Sequence, residues 1–204
     1  TPLNSASRNG HVDVVKLLHE KGADITVPNN KGWTPLNSAS RNGHVDVVKL
    51  LLEKGADITV PNNKGWTPLN SASINGHVDV VKLLHEKGAD ITVPNNKGWT
   101  PLNSASRNGH VDVVKLLLEK GADITVPNNK GWTPLNSASI NGHVDVVKLL
   151  HEKGADITVP NNKGWTPLNS ASRNGHVDVV KLLLEKGADI TVLDIDGWTP
   201  LNSA

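Results

Sequence analysis

The chain has 204 residues and a formal net charge of +1, from 21 basic and 20 acidic residues, and it contains no cysteine. Nucleic-acid-binding proteins usually carry a strong basic excess, and membrane-surface helices are rich in Lys and Arg opposite an apolar face. The composition therefore argues against both partners, and the missing cysteines exclude a disulfide framework. No apolar run approaches the roughly 20 residues that a membrane span needs.

These features predict a soluble protein that does not bind a membrane. The sequence shows no signal peptide and no N-x-Ser/Thr sequon, which favours a place inside the cell over secretion. The compartment itself is not specified by the sequence.

A four-residue motif, Thr-Pro-Leu-Asn, recurs every 33 residues along the whole chain. It begins at residues 1, 34, 67, 100, 133, 166 and 199, which gives six complete units and a partial unit at residues 199–204. A fixed period of this length predicts a stacked array, because one unit alone cannot bury its apolar face. We expect a single array over residues 1–204 without a domain boundary.

The first predicted element of each unit is a short helix, from about residue 35 to 41 in the second unit. The hydroxyl of Thr34 can cap free backbone N–H groups, and Pro35 at the first helical position loses no donor that the helix needs. Asn42 and Gly43 are expected to end this helix, since both residue types tolerate positive φ.

A second helix is predicted from about residue 44 to 54. It carries an apolar stripe of Val45, Val48, Leu51 and Leu52, widened by Val47 and Leu50. Such a wide stripe requires burial on two sides. Gly55 is a natural end for this helix, and residues 56–66 are expected to form an extended segment and a turn that lead to the next Thr-Pro cap.

A helix pair and a turn, repeated every 33 residues, resemble the ankyrin repeat. The matching residues in the third unit are Gly65, Thr67, Pro68, Leu69, Ala72, Gly76, His77, Val80, Val81, Leu83, Leu84, Gly88, Ala89 and Asp90. The resemblance covers the whole chain and implies an all-α repeat solenoid, an ankyrin-type right-handed stack of antiparallel helix pairs with projecting β-hairpin or turn loops. It also implies protein recognition without catalysis.

The chain departs from the family pattern in the first helix. Asn37 and its copies replace the usual His after Thr-Pro-Leu, and Ser-Ala-Ser replaces Leu-Ala-Ala. Asn can still donate and accept hydrogen bonds, but the serines give up apolar packing. We expect a less stable interface between repeats unless the serine hydroxyls bond back to their helix.

Two positions vary among the inner copies. The first reads Arg8, Arg41, Ile74, Arg107, Ile140 and Arg173, and the second reads His19, Leu52, His85, Leu118, His151 and Leu184. Residues 34–99 and 100–165 are consequently identical blocks, which favours duplication or deliberate construction of a two-repeat unit. The last linker also differs, because Leu-Asp-Ile-Asp at residues 193–196 replaces Pro-Asn-Asn-Lys.

Catalytic and metal chemistry is not indicated. Histidines of neighbouring units, such as His44 and His77, would lie about 8–10 Å apart, too far to share a zinc ion whose ligands lie near 2 Å. We interpret the Gly-His residues as helix-start residues that bond backbone. The alternating His19, His85 and His151 are interpreted as substitutions at a Leu position, with a pH-sensitive role as the alternative.

No cysteine nucleophile, oriented Ser-His-Asp set or phosphate-binding glycine motif is recognisable. We therefore predict that the chain is not an enzyme, has no catalytic or metal site and uses no cofactor.

The six tryptophans, one at the end of each unit, are the only aromatic residues. Two interpretations stay open: each indole packs against the neighbouring turn, or it contacts a partner, since Trp is enriched in binding hot spots. A lysine lies two residues before the first five tryptophans. An aromatic and basic row of this kind can stack on single-stranded nucleic acid, but the near-neutral charge argues against that partner.

The leading functional prediction is a protein-protein interaction scaffold that binds through the concave face of its turns and first helices. The candidate contact residues are Asn30, Lys31, Trp33, Arg41, Asn42, Asn63, Lys64, Trp66, Ile74, Asn75, Asn96, Lys97, Trp99, Arg107, Asn108, Lys130, Trp132, Ile140, Asn141, Lys163, Trp165, Arg173 and Asn174. The alternation of Arg and Ile makes this face alternately cationic and apolar, which would suit a ligand with its own repeat.

The alternative is an engineered or consensus-like array without an evolved partner, because a face that repeats itself cannot match an irregular epitope. Neither end of the sequence resembles a capping repeat, so we also expect head-to-tail self-association.

Overall fold

The computed structural model describes residues 1–202, and this range contains twelve α-helices and no strand. The helices are α1 (Pro2–Arg8), α2 (Val12–Glu20), α3 (Pro35–Arg41), α4 (Val45–Glu53), α5 (Pro68–Ile74), α6 (Val78–Glu86), α7 (Pro101–Arg107), α8 (Val111–Glu119), α9 (Pro134–Ile140), α10 (Val144–Glu152), α11 (Pro167–Arg173) and α12 (Val177–Glu185). The predicted all-α repeat solenoid is thereby confirmed. The last two residues of the predicted partial unit 199–204 lie outside the described residues.

The structure divides into two compact units, residues 1–96 and the part from Lys97 onward. In the first unit, α1, α3 and α5 pack in one row and α2, α4 and α6 in a second row. In the second unit, α7, α9 and α11 form one row, and α8, α10 and α12 form the other. Each unit is thus a two-layer stack of three helix pairs. The continuity of the array over residues 1–204 stays a prediction.

The first helix of each repeat begins as the sequence predicts. The backbone N–H of Asn37 donates to Thr34 Oγ1 over 3.1 Å, and Pro35 occupies the first turn. Asn42 and Gly43 end the helix, as expected. Asn42 keeps a negative φ of −101°, and Gly43 takes a positive φ of 76°. One left-handed residue is therefore enough to reverse the chain here.

The core lies between the two layers. Leu36, Ala39, Val47, Val48 and Leu51 are at most 1% exposed in the second repeat. Val45 and Leu52, at the margins of the predicted stripe, are half-buried instead. Full burial of a Leu or Val side chain contributes about 1.5–3 kcal/mol. Stability in each unit therefore comes mainly from this inner stripe, packed against both neighbouring helix pairs.

Polar side chains connect the helices to other parts of the array. Asn37 Nδ2 donates to the carbonyl oxygen of Val60 in its own loop, over 2.7 Å. His44 Nε2 lies 2.9 Å from the carbonyl oxygen of Arg8, at the end of the preceding first helix, so a proton on Nε2 completes a bond between repeats. The interpretation of the Gly-His residues as helix-start residues that bond backbone agrees with this contact.

The serines of the first helix are only partly paired. Ser139 Oγ donates to the carbonyl oxygen of Leu135 over 2.8 Å, as the sequence anticipated. Ser40 and Ser73 are fully buried, and their hydroxyls have no hydrogen bond. An unpaired buried hydroxyl costs about 1–3 kcal/mol, so these residues lower the stability of the first-helix layer.

Candidate functional site

The projecting loops end in turns that a polar side chain closes, and in the second repeat this side chain is an Asn. Asn62 Oδ1 accepts hydrogen bonds from the backbone N–H groups of Lys64, at 2.9 Å, and Trp66, at 3.1 Å. The Asn62 N–H donates to the Trp66 carbonyl oxygen over 3.0 Å. Asn62 is 5% exposed, so the turn is built around a buried amide. This fixes the positions of the exposed Lys64 and the half-buried Trp66.

Neighbouring turns within each unit are also bonded to one another. The Asn63 backbone N–H donates to the carbonyl oxygen of Lys31, and Asn63 Nδ2 donates to that of Asn30, each over 3.2 Å. A Cβ atom on Gly32 would lie 2.6 Å from the Asn63 backbone nitrogen. The turns therefore form a closely packed edge. Asn63, predicted as a contact residue, also has this structural role, which the sequence did not reveal.

The tryptophan and arginine rows of the sequence meet in space. The Arg41 guanidinium carbon lies 5.0 Å from the centroid of the Trp33 ring. Arg107 lies at the same distance from Trp99 in the second unit. Both contacts are cation–π interactions, which contribute about 0.5–1 kcal/mol at exposed sites. In each pair the Trp lies just before the start of a first helix and the Arg lies at the end of the same helix, so the contact connects the two ends of that helix.

The junction of the fifth and sixth repeats shows a denser version of this arrangement. Arg173 lies 4.8 Å and Lys163 5.2 Å from the ring centroid of Trp165. The Trp132 ring contacts Trp165 edge-on, with 6.1 Å between centroids. The indole Nε1 of Trp165 donates to Asp194 Oδ2 over 3.0 Å. Trp165 thus has cations at its ring, an aromatic neighbour and a carboxylate bonded to its polar edge.

Asp194 closes the last turn in place of Asn. Its Oδ1 accepts from the N–H groups of Trp198 and Asp196, each over 2.9 Å. The Trp198 N–H lowers the pKa of Asp194 most, and the bonds from Asp196 and Trp165 and the charge of Arg173 lower it further, against the opposing effect of burial. A carboxylate therefore serves here as the same turn-closing acceptor as the amide elsewhere.

Three grooves run between the turns and the first helices. One in the first unit has a volume of about 760 Å³, and a second of about 440 Å³ adjoins it through Asn30, Lys31, Trp33 and Arg41. The second unit has a groove of about 430 Å³ that includes Trp99, Arg107 and Trp132. These grooves are open and repeated, which suits an elongated ligand better than a small molecule.

Most of the predicted contact residues line these grooves. Those that do are Asn30, Lys31, Trp33, Arg41, Asn42, Asn63, Lys64, Trp66, Lys97, Trp99, Arg107, Lys130, Trp132, Ile140 and Asn141. Those that lie outside the three grooves are Ile74, Asn75, Asn96, Asn108, Lys163, Trp165, Arg173 and Asn174. The structure therefore brings together, within each unit, the rows that the sequence selected.

Asn42 and its copies also have a local role at the end of the first helix. The Asn42 side chain donates from Nδ2 to the carbonyl oxygen of Ser38 over 2.8 Å. The same bond, also of 2.8 Å, is made by Asn75, Asn108, Asn141 and Asn174. These amides stabilise the helix end even though their side chains are exposed.

Some groove residues were not predicted from the sequence. Arg8 and Asn29 line the largest groove, and Asn62 and Asn128 line the others. Arg8 belongs to the same row as Arg41, so its repeat position was a usable signal. The first Asn of each Asn-Asn pair in the turns, such as Asn29 and Asn62, gives no such signal in the sequence, because its burial depends on how the turn folds.

Charge is distributed unevenly between the two layers. The turns and first helices contain five Lys and four Arg, and their only carboxylates are Asp194 and Asp196. The second helices and the residues that follow them contain twelve Lys and eighteen Asp or Glu. No Asp or Glu is among the residues that line the three grooves. The overall charge of +1 conceals this separation.

Within residues 1–202, no three His, Cys, Asp or Glu side chains are grouped to hold a metal ion. The same residues include no helix that is long and apolar enough to cross a bilayer. The half-buried His85 has a buried Nδ1 without a hydrogen bond, which is consistent with a substitution at a Leu position.

Comparison with known proteins gives consistent matches along the whole chain. A family model described as ankyrin repeats (3 copies) matches this chain four times, at residues 1–62, 60–128, 125–194 and 160–204. The crystal structure of the human ASB11 ankyrin repeat domain is 30% identical with a TM-score of 0.88, and the match covers 100% of this chain and 91% of that one. No curated protein matches the chain.

A second solved structure is the ankyrin repeat domain of Bcl-3, described as a unique member of the IκB protein family. It is 31% identical with a TM-score of 0.81, and the match covers 100% of this chain and 93% of that one.

Proposed function

The chain belongs to the ankyrin repeat family, and we propose that it is a non-catalytic scaffold that binds a protein partner through its turns and first helices. Ankyrin repeats generally serve as protein-protein interaction scaffolds. The observation that carries the proposal for this chain is the series of grooves between turns and first helices. The apolar face of the inner second helices is buried between neighbouring repeats, so it is not free to bind.

The composition of the grooves supports a protein partner. Trp33 and Trp66 supply half-buried rings that can act as anchors, while exposed Lys31 and Lys64 supply charge at the rim. Interfaces are typically built from aromatic and Arg anchors that are surrounded by polar residues. The hydrogen bonds between turns hold these side chains in place before binding, which reduces the entropy lost on association.

A second candidate is an array without an evolved partner. The observation that favours it is the identity of residues 34–99 with residues 100–165. A face that repeats without variation has no means of matching an irregular epitope. The two candidates differ in whether a protein is retained specifically by the groove face.

A photo-crosslinking side chain tests this difference. One variant carries a benzophenone residue at Lys31, in the groove, and a matched control carries it at Lys49, which is exposed on the second helix. We expect a protein from an extract of the source to crosslink at position 31, and excess unmodified chain to suppress that product. Crosslinking at position 49 alone would place binding on the opposite layer, and no competed product from either position would favour the array without a partner.

A further inference from the structure

The grooves of the first unit form a cationic channel. Arg8, Lys31, Arg41 and Lys64 line the two adjoining grooves, and no carboxylate lies among their lining residues. A cleft lined by charges of one sign concentrates the electrostatic potential and raises the rate at which an oppositely charged ligand associates. The compensating carboxylates lie on the second helices and the segments that follow them, so they do not neutralise the channel locally.

The aromatic contacts distinguish between two kinds of anionic ligand. Arg41 lies over the Trp33 ring, and Trp165 has both Arg173 and Lys163 at its ring. Proteins that bind single-stranded nucleic acid stack its bases on such rings, and at Trp33 and Trp165 the protein's own cations occupy that position. The N–H donors of a guanidinium lie in its plane and can bind a carboxylate in a bidentate manner. This arrangement favours carboxylates over bases.

We propose that the partner presents an extended acidic segment, with an Asp or Glu at about every third residue, that lies along the channel of turns. The inference rests on the proposed function and specifies the chemistry of the partner at the same site. Stacked helices are about 8–10 Å apart, and an extended chain advances about 3.2–3.4 Å per residue. Three residues of the partner therefore match one repeat, so that successive carboxylates meet Lys31 and Lys64.

Synthetic peptides test the proposal directly. The probe is a labelled 15-residue peptide, (Glu-Ser-Gly) repeated five times, and fluorescence anisotropy gives its Kd for the 204-residue chain. The comparison ligands are the corresponding Lys-Ser-Gly peptide, a peptide of the same composition with its Glu residues clustered, and a 15-nucleotide dT strand. We expect the periodic acidic peptide to bind most tightly, with an affinity that falls as salt is raised.

Matched charge-reversal variants identify the face. Lys31→Glu with Lys64→Glu cancels the net positive charge of the channel, and Lys49→Glu with Lys82→Glu makes the same change in net charge at exposed positions of the second helices. The first pair is expected to weaken peptide binding by at least about tenfold and the second by less than about twofold. Circular dichroism checks the folding of both, and Lys31→Gln with Lys64→Gln replaces the first pair if Glu disrupts the turns.

The outcomes separate this inference from the proposed function. If the acidic peptides do not bind while the crosslinker at Lys31 captures a protein, the acidic segment is wrong and the scaffold function stands. Tighter binding of the dT strand, or equal loss of affinity from both reversal pairs, would also overturn the inference. Equal binding of the periodic and clustered peptides would overturn the three-residue spacing.

Discussion

Two glycines of each repeat share a backbone conformation but differ in their surroundings. Gly32 has φ of +76° and Gly55 has φ of +86°, which only glycine adopts freely. A Cβ on Gly55 would meet nothing within 4 Å, whereas a Cβ on Gly32 would lie 2.6 Å from the Asn63 backbone nitrogen. Gly32 is therefore required both by its backbone conformation and by the close approach of the next turn.

We predict that Gly32→Ala destabilises the chain more than Gly55→Ala does. Gly55→Ala should cost about 1–2 kcal/mol for the left-handed backbone, and Gly32→Ala should add about 1–3 kcal/mol because the neighbouring turn must move. Urea denaturation, followed by the helical signal, measures both changes. Equal shifts in the two midpoints would show that the turns do not pack as closely as the structure indicates.

The buried serines give a second prediction at this scale. Ser73 is 0% exposed and its hydroxyl has no hydrogen bond, so Ser73→Ala removes an unpaired polar group and should stabilise the chain by about 1 kcal/mol. Ser5 is exposed in the same kind of helix. Ser5→Ala is therefore the control for helix propensity alone. Thermal melts measure both changes. If Ser73→Ala raises the Tm no more than Ser5→Ala does, the Ser73 hydroxyl is not an unpaired buried group.

At the scale of the elements, the segment after each second helix contains an Asp-x-Thr turn. Asp57 Oδ1 accepts from the Thr59 hydroxyl at 2.7 Å and from the Thr59 N–H at 2.8 Å. The hydroxyl bond, and then the backbone bond, lower the pKa of Asp57 from its ordinary value of 3.8. The same shift occurs in the other five copies.

These turns predict a defined loss of stability in acid. Because the folded-state pKa is below the unfolded value, the stabilisation is present above pH 3.8 and is lost as the pH falls through the folded-state pKa. A chain with the six threonines of these turns changed to Val should be less stable than the unmodified chain at pH 6, and this difference should shrink as the pH falls below 3.8. Thr→Ser at the same sites keeps the hydroxyl and is the control. A difference in urea midpoint that is independent of pH would refute this role.

The helices were largely predictable from the sequence, whereas the site was only partly so. Thr34, Pro35 and Gly55 mark helix ends through local chemistry, and the observed bounds of α3 and α4 agree with the predicted ones to within one residue. The sequence does not distinguish the roles of the adjacent Asn62 and Asn63. Asn62 is buried and accepts hydrogen bonds within its own turn, whereas Asn63 donates to the preceding turn. The charge separation does not show in the net charge of the chain, because the acidic residues of the second helices and the segments that follow them balance the cations of the turns and first helices.

At the scale of the whole molecule, the terminal repeats expose side chains whose counterparts are more deeply buried in inner repeats. Val14 in α2 is 46% exposed, whereas Val47, its counterpart in α4, is 0% exposed and α4 packs between α2 and α6. In the last repeat, Val177 and Leu184 of α12 are 59% and 42% exposed. Because the repeats are nearly identical, we expect the end of one copy to be complementary to the beginning of another.

We predict that the 204-residue polypeptide associates end to end as its concentration rises, since a head-to-tail contact between identical copies does not close. Sedimentation velocity over a range of concentrations measures this association. Val14→Lys should reduce it by placing a charge in the contact, and Val60→Lys, on a half-exposed loop residue, is the control. A polypeptide that stays monomeric at the highest attainable concentration would contradict the prediction.

Binding through the turns and first helices should be visible in hydrogen exchange. Mass spectrometry measures the exchange of the chain alone and of the chain bound to a protein that it retains from an extract. We expect slower exchange at residues 28–33 and 61–66, with little change at the exposed side of the second helices. Protection confined to the second helices, with unchanged exchange in the turns, would contradict it.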